Sequence, residues 1–184
     1  DLDELDNALE SYFVGREIFQ QTGQQQLEGI VLNNIGAVYD SLGRYEDALK
    51  NYKIALVISR EIDDKAGEST ALNNIGLTYK SQGRYKDALE NYQIALSISR
   101  EISDKALECA TLNNIGVVYR SQGRYEAALE NYQAALAIRR QIGDKAGEGK
   151  TLNGIGAIYL PQGRYEAAIE YYQQALAIRQ KIGD

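Results

Sequence analysis

From Leu72 to Tyr79 the apolar and small positions fall at Leu72, Ile75, Gly76 and Tyr79, the i, i+3, i+4, i+7 spacing of one helix face. A second face follows at Ala88, Leu89, Tyr92, Ala95, Leu96 and Ile98. Between them lies Ser81-Gln82-Gly83-Arg84-Tyr85. Gly83 can take the left-handed conformation that ends a helix, so the pattern predicts two helices folded back on each other.

The same pattern returns at a fixed distance. Asn33, Asn73, Asn113 and Asn153 are 40 residues apart, as are Gly43, Gly83, Gly123 and Gly163, and 26 of 40 positions are identical between residues 65–104 and 105–144. A constant period of this size marks a solenoid, whose units bury their apolar faces against their neighbours. Asp64, Asp104 and Asp144 stand where a helix N-terminus needs a capping carboxylate, with Gly143 as a stop just before the last. Carried backwards, the period sets Ala8, Leu9, Tyr12, Gly15 and Ile18 on Ala48, Leu49, Tyr52, Ala55 and Ile58. Residues 3–22 are therefore expected to be a second helix without its first, and Asp184 the cap of a helix beyond the sequence. The expectation is an all-α array of nine helices. Residues 1–23 form the second helix of a truncated repeat, and 24–63, 64–103, 104–143 and 144–184 four full hairpins, cut from a longer array.

Leu32, Ile35, Gly36, Tyr39, Ala48, Tyr52 and Ala55, with their counterparts in the next three units, resemble the small-and-large pattern of the tetratricopeptide family. The usual period there is about 34 residues. Here extra residues such as Asp63 to Glu68 lengthen the start of the first helix. This variety resembles the arrays of Pins/LGN-type and kinesin-light-chain-type proteins and of bacterial, particularly cyanobacterial, multi-repeat proteins. The resemblance implies a right-handed superhelical α-solenoid of antiparallel hairpins that binds other proteins, with its first helices lining a concave face. Two departures carry expectations. Arg60, Arg100, Arg140 and Gln180 stand where the family often has Pro, so the second helix should run to about Ile62. Pro161 replaces a Ser and should bend or stop its helix early.

Composition narrows the chemistry. The 184 residues contain no His and one Cys, Cys109, which excludes an internal disulfide, Cys/His zinc sites and Ser-His or Cys-His nucleophiles. An enzyme is not expected, nor a metal or other cofactor. Residues 1–64 carry a net −8 and residues 65–184 a net +2, without the basic stripe that phosphate backbones demand, so nucleic acid is a poor partner. No apolar run reaches the roughly 20 residues of a membrane span, and the N-terminus lacks a signal-peptide pattern. A cytoplasmic protein without membrane contact is the expectation.

The repeated residues divide by what packing needs. Thirteen of 14 Tyr fall in three columns, read as space-filling rings within and between hairpins. Gly36 and its counterparts, with Ala48 and its counterparts, allow close helix approach. Arg44, Arg84, Arg124 and Arg164, with Glu90, Glu130 and Glu170, read as surface ion pairs, and Cys109 as a small packing residue. The Asn pairs stand apart, because Asn is a mediocre helix former and packing does not require two in a row.

On the family resemblance, Asn33, Asn73, Asn113 and Asn153 and the second row, Asn34, Asn74 and Asn114, line the concave face, with Gly154 breaking the second row. A ladder of amides can donate to and accept from an extended peptide backbone; equally, a row can bond a neighbouring helix to fix the pitch. Both readings stay open for each row. Around the ladder, a helical-face count places Ile30, Thr70, Ala110 and Lys150, then Ala37, Leu77, Val117 and Ala157, then Asp40, Lys80, Arg120 and Leu160 on the same surface. These columns vary where the framework does not, as a tailored groove would. The family's carboxylate clamp is absent, since Leu77 lies four residues after Asn73, while Lys80, Arg120 and Lys150 make a mildly basic stripe. The candidate binding residues are therefore Asn33, Asn34, Asn73, Asn74, Asn113, Asn114, Asn153, Thr70, Leu77, Lys80, Val117, Arg120 and Lys150. Two functions fit: a scaffold, part of a larger signalling or regulatory protein, holding an extended or helical peptide; or a spacer that self-associates head to tail through its unpaired end helices.

Overall fold

The computed structural model describes residues 2–183, with side chains from Leu5 onward. Among the described residues there are nine α-helices and no strand, as the pattern predicts. They are α1 (Leu2–Gln21), α2 (Gln25–Ser41), α3 (Tyr45–Glu61), α4 (Lys65–Ser81), α5 (Tyr85–Glu101), α6 (Lys105–Ser121), α7 (Tyr125–Ile142), α8 (Lys145–Tyr159) and α9 (Tyr165–Ile182). The cap expected at Asp184 lies outside the described residues. The chain divides into two compact units, Asp1–Ile102 and Ser103–Asp184. In the first, α2 pairs with α3 and α4 with α5, while α1 packs on α2 and α3 on α4; in the second, α6 pairs with α7 and α8 with α9, and α7 packs on α8. The first helices are also neighbours within each unit, α2 beside α4 and α6 beside α8.

Two kinds of turn build this order. Within a hairpin, Gly43 sits at φ 70°, its N–H donates to Asp40 O, and the Arg44 N–H donates to Tyr39 O at 2.8 Å. This is the Schellman closure, which satisfies carbonyls a helix end leaves open. The contact that usually joins the residues flanking such a turn is apolar; here the Arg44 guanidinium lies 4.4 Å over the Tyr39 ring, and Arg84, Arg124 and Arg164 lie over Tyr79, Tyr119 and Tyr159. The Arg column is thus not paired with the Glu90 column. Arg44 and Arg84 pair instead with Asp47 and Asp87 one turn on, and Glu90 meets only Lys86 among the described residues. Between hairpins, the Asp64, Asp104 and Asp144 carboxylates accept from the N–H groups of Gly67, Leu107 and Gly147, as expected of N-caps. The preceding left-handed position is Gly143 in one turn but Asp63 (φ 56°) and Ser103 (φ 58°) in two others.

Packing explains the small residues. Tyr52, Tyr92 and Tyr132 are fully buried, and a Cβ added at Gly36 would sit 2.5 Å from the Tyr52 ring, at Gly76 2.6 Å from that of Tyr92. Each hairpin closes on a tyrosine face that only glycine admits. Pro161 ends α8 at Tyr159 and leaves a short 3₁₀ turn, Leu160–Gln162, as its missing N–H requires. Helix α3 runs to Glu61 with Ile62 as its cap residue, close to the expected end.

A column of Glu that the sequence pattern does not single out is buried. Glu28, Glu68, Glu108 and Glu148 are each at most 8% exposed. Arg60 Nε donates to Glu68 at 2.7 Å and Lys65 Nζ to its other oxygen at 3.3 Å; Arg140 and Lys145 hold Glu148 the same way. Burial raises these two carboxyls, but the Arg and Lys hydrogen bonds outweigh it and hold both below their ordinary value.

Candidate functional site

The predicted amide ladder is partly spent on the fold. In the first unit Asn33 is buried; its Nδ2 donates to Gly29 O at 3.1 Å, and its Oδ1 accepts from Asn74 Nδ2 at 3.3 Å. One residue from each row therefore ties α2 to α4. In the second unit Asn113 Oδ1 accepts from Thr151 Oγ1 at 3.3 Å, tying α6 to α8. Asn73 and Asn114 are half-buried and also engaged. Asn34 differs: it is exposed, and its amide has no hydrogen-bond partner among the described residues. Gly154 breaks the second row beside Tyr132, whose ring would lie 3.0 Å from an added Cβ.

Within the first unit Ile30, Asn33, Asn34 and Thr70 come together in a cleft of about 300 Å³ between the N-terminal halves of α2 and α4. Ile30 is 50% exposed there, and Thr70 bonds Ala66 O in its own helix. Leu77, 39% exposed, and half-buried Lys80 lie further along α4, outside the cleft. In the second unit Lys150 and Asn153 border a smaller cavity of about 100 Å³ with Ala146 and Arg179, and Val117 and Arg120 are half-buried along α6. Asp40, in the column of Lys80 and Arg120, accepts from Thr78 Oγ1 at 2.7 Å and Tyr52 Oη at 3.3 Å, which fastens α2 to α3 and α4. Burial pushes its carboxyl up, and those two bonds offset the rise only in part.

The cleft floor consists of residues that repeat position alone does not single out. Ser59, 4% exposed, makes no hydrogen bond among the described residues, and its Oγ and Asp64 Oδ2 each lie 2.6 Å from where a Cβ on Gly67 would stand. Among the described residues Asp64 Oδ2 meets only the long contact from Gln26 Nε2, at 3.5 Å. The signal in the sequence was the column Ser59, Ser99, Arg139, Arg179, which changes size and charge inside a constant frame.

A model of the tetratricopeptide repeat matches residues 27–101 and again 107–181, with the hairpins, the Gly–Tyr packing and the turns just described in register. The chain belongs to the tetratricopeptide repeat family. Among solved structures this tetratricopeptide array is similar over its whole length to BtubC from P. vanneervenii, with 23% identity, a TM-score of 0.75 and 84% of that chain covered. It is similar also to aspartyl phosphate phosphatase F from Bacillus subtilis (20% identity, TM-score 0.87) and to a Rap protein complexed with competence and sporulation factor (18% identity, TM-score 0.89). Of those two the chain spans about half the length, 49% and 51%. At these identities the likeness is one of fold. No curated protein matches the sequence. Among the described residues no helix is long and apolar enough to cross a membrane.

Proposed function

We propose that this tetratricopeptide array is a binding scaffold, not an enzyme, that holds an extended segment of a partner protein along its first helices. The observation that carries the reading is the α2–α4 cleft, where the unbonded amide of Asn34 stands beside exposed Ile30 with Leu77 further along the same face. Such a face offers both a donor and an acceptor for a peptide backbone and apolar surface for its side chains. A Rap protein of similar fold is described in complex with competence and sporulation factor, which is support by analogy. Asn33, Asn73, Asn74, Asn113, Asn114 and Asn153 then hold the first helices in register or border the groove. Thr70, Leu77, Lys80, Val117, Arg120 and Lys150 tune what it accepts. Membership of a larger signalling or regulatory protein fits the same reading.

The test is selection from a peptide library, with hits titrated against the wild type and Asn34→Ala. Hits that weaken about tenfold in the variant, with unchanged helicity, support the groove; hits indifferent to Asn34 and to Leu77→Ala argue against it. A second reading, head-to-tail self-association, is favoured by the exposed row Tyr165, Ile169 and Leu176 on α9. A monomer by light scattering at high protein concentration argues against that one.

A further inference from the structure

The repeat itself shows what fills the cleft. Eighty residues after Ser59, Asp64 and Gly67 stand Arg139, Asp144 and Gly147, in the same turn of the second unit. There Arg139 Nη1 donates to Asp144 Oδ2 at 2.7 Å, and a Cβ on Gly147 would fall on that guanidinium nitrogen. The Arg139 side chain is only 12% exposed. In the first unit Asp64 Oδ2 and Ser59 Oγ converge on the corresponding point over Gly67, with Gln26 Nε2 in long contact with Asp64 Oδ2 at 3.5 Å: Ser59 is too short to fill the point, and no cation pairs with Asp64 among the described residues. The Asp64 Oδ2 edge, met by the long Gln26 contact, and the unbonded hydroxyl of Ser59, a residue 4% exposed, thus face the place that a guanidinium takes in the second unit.

We infer that the α2–α4 cleft is a receptor for an arginine side chain of the bound segment, which supplies from outside the guanidinium that Arg139 supplies from within. This rests on the scaffold reading and names the partner's chemistry at that site. Asp64 Oδ2 takes one N–H, Ser59 Oγ and the Asn34 amide oxygen are acceptors within the same cleft, and Ile30 and Ala66 line the approach for the methylene stem. Guanidinium brings five donors in a fixed fork, whereas an ammonium is compact and more strongly hydrated; the site therefore favours Arg over Lys. Gln26, whose contact with Asp64 is long, gives way to the ligand.

The test has two arms on the full chain. In the first, the ¹⁵N-labelled protein is titrated with acetyl-arginine amide, acetyl-lysine amide and acetyl-citrulline amide. The expected result is a saturable shift of the Gly67 amide, whose N–H bonds Asp64, for the arginine probe. That shift should be lost in Ser59→Arg, which installs the internal occupant, and in Asp64→Asn, which keeps a capping side chain but removes the charge. An equal response to lysine or citrulline, or one surviving in both variants, overturns the inference. In the second arm, library hits are remade with Arg replaced by citrulline, with an expected loss of about tenfold or more in affinity in the wild type and none in Ser59→Arg. Hits that bind without Arg and ignore both variants overturn the arginine receptor while leaving the scaffold standing. An arginine-selective Gly67 shift with no library hit supports the receptor and counts against the peptide groove; no shift and no hit sink both.

Discussion

The turn at Ser59–Asp64 and the turn at Arg139–Asp144 make the same four backbone hydrogen bonds, yet one leaves a cleft and the other fills it. In both, the amide of the Asp returns to the carbonyl five residues back, and the Asp carboxylate caps the next helix. What differs is the side chain at the position where a Schellman turn places its flanking contact. Arg139 closes that contact on Asp144; Ser59 cannot. The backbone of this array is thus held by residues that recur, while a column that does not recur decides whether the turn leaves a cleft.

The framework is where substitution should cost most, and unequally in the two units. Gly36→Ala drives a Cβ to 2.5 Å from Tyr52, while the equivalent Gly116→Ala meets Tyr132 at 3.0 Å. Overpacking of this kind typically costs about 1–3 kcal/mol, partly offset by about 1 kcal/mol of helix propensity. Urea denaturation should show Gly36→Ala destabilised by about 2 kcal/mol and Gly116→Ala by clearly less; equal losses would break the link between Cβ distance and energy.

Next in size is the filled turn. Arg139→Ser makes the second unit resemble the first and leaves Asp144 without its partner. Because Asp144 is 36% exposed, screening limits the expected loss to about 1 kcal/mol. Thermal melts check it, and no change would mean the pair adds no net stability. A smaller gain is expected at the left-handed position, which is Gly143 in the filled turn and Asp63 in the open one. Asp63→Gly removes a strained non-glycine φ and should stabilise by roughly 0.5–1 kcal/mol, net of the added chain entropy of glycine. Destabilisation there would show that the Asp63 side chain contributes something its backbone conformation hides.

The smallest effect is one the two units should share. Glu68 and Glu148 have lowered carboxyl pKa values in the fold, so the stability they supply is fully present above the unfolded value of about 4.3 and is lost as pH falls through the lowered folded values. Stability measured by denaturation between about pH 3 and pH 7 should fall on the acid side, and Glu68→Gln with Glu148→Gln should flatten that fall. Asp40, raised by burial and matched by Arg120 in the other unit, acts with the opposite sign: its favourable contribution belongs to the protonated form and is lost as pH rises through its folded value. An acid limb unchanged in the Gln variants would mean the buried Glu column does not carry the dependence.

The hairpins, caps and tyrosine packing were legible because they depend on residues close in sequence that recur every 40 positions. Asp64, Gly83 and Pro161 each act within one helical turn of themselves. The candidate binding face was less legible. Whether Asn33 or Asn34 stays available depends on the spacing of α2 and α4, which decides that Asn74 reaches Asn33 across 41 residues and leaves Asn34 untouched. The buried Glu column was not singled out in the sequence, because its Arg partner lies eight residues upstream, across an interhelical turn. Ser59 carried no signal of its own; its meaning comes from the empty volume over Gly67, visible only beside Arg139.

The most direct test of the scaffold account is hydrogen exchange across the chain with and without a library-selected peptide. The account predicts new protection concentrated along α2 and α4, centred on the Asn33–Asn34 turn and the start of α4 at Lys65–Thr70. Protection confined to the second helices α3 and α5, or to α9, would contradict it.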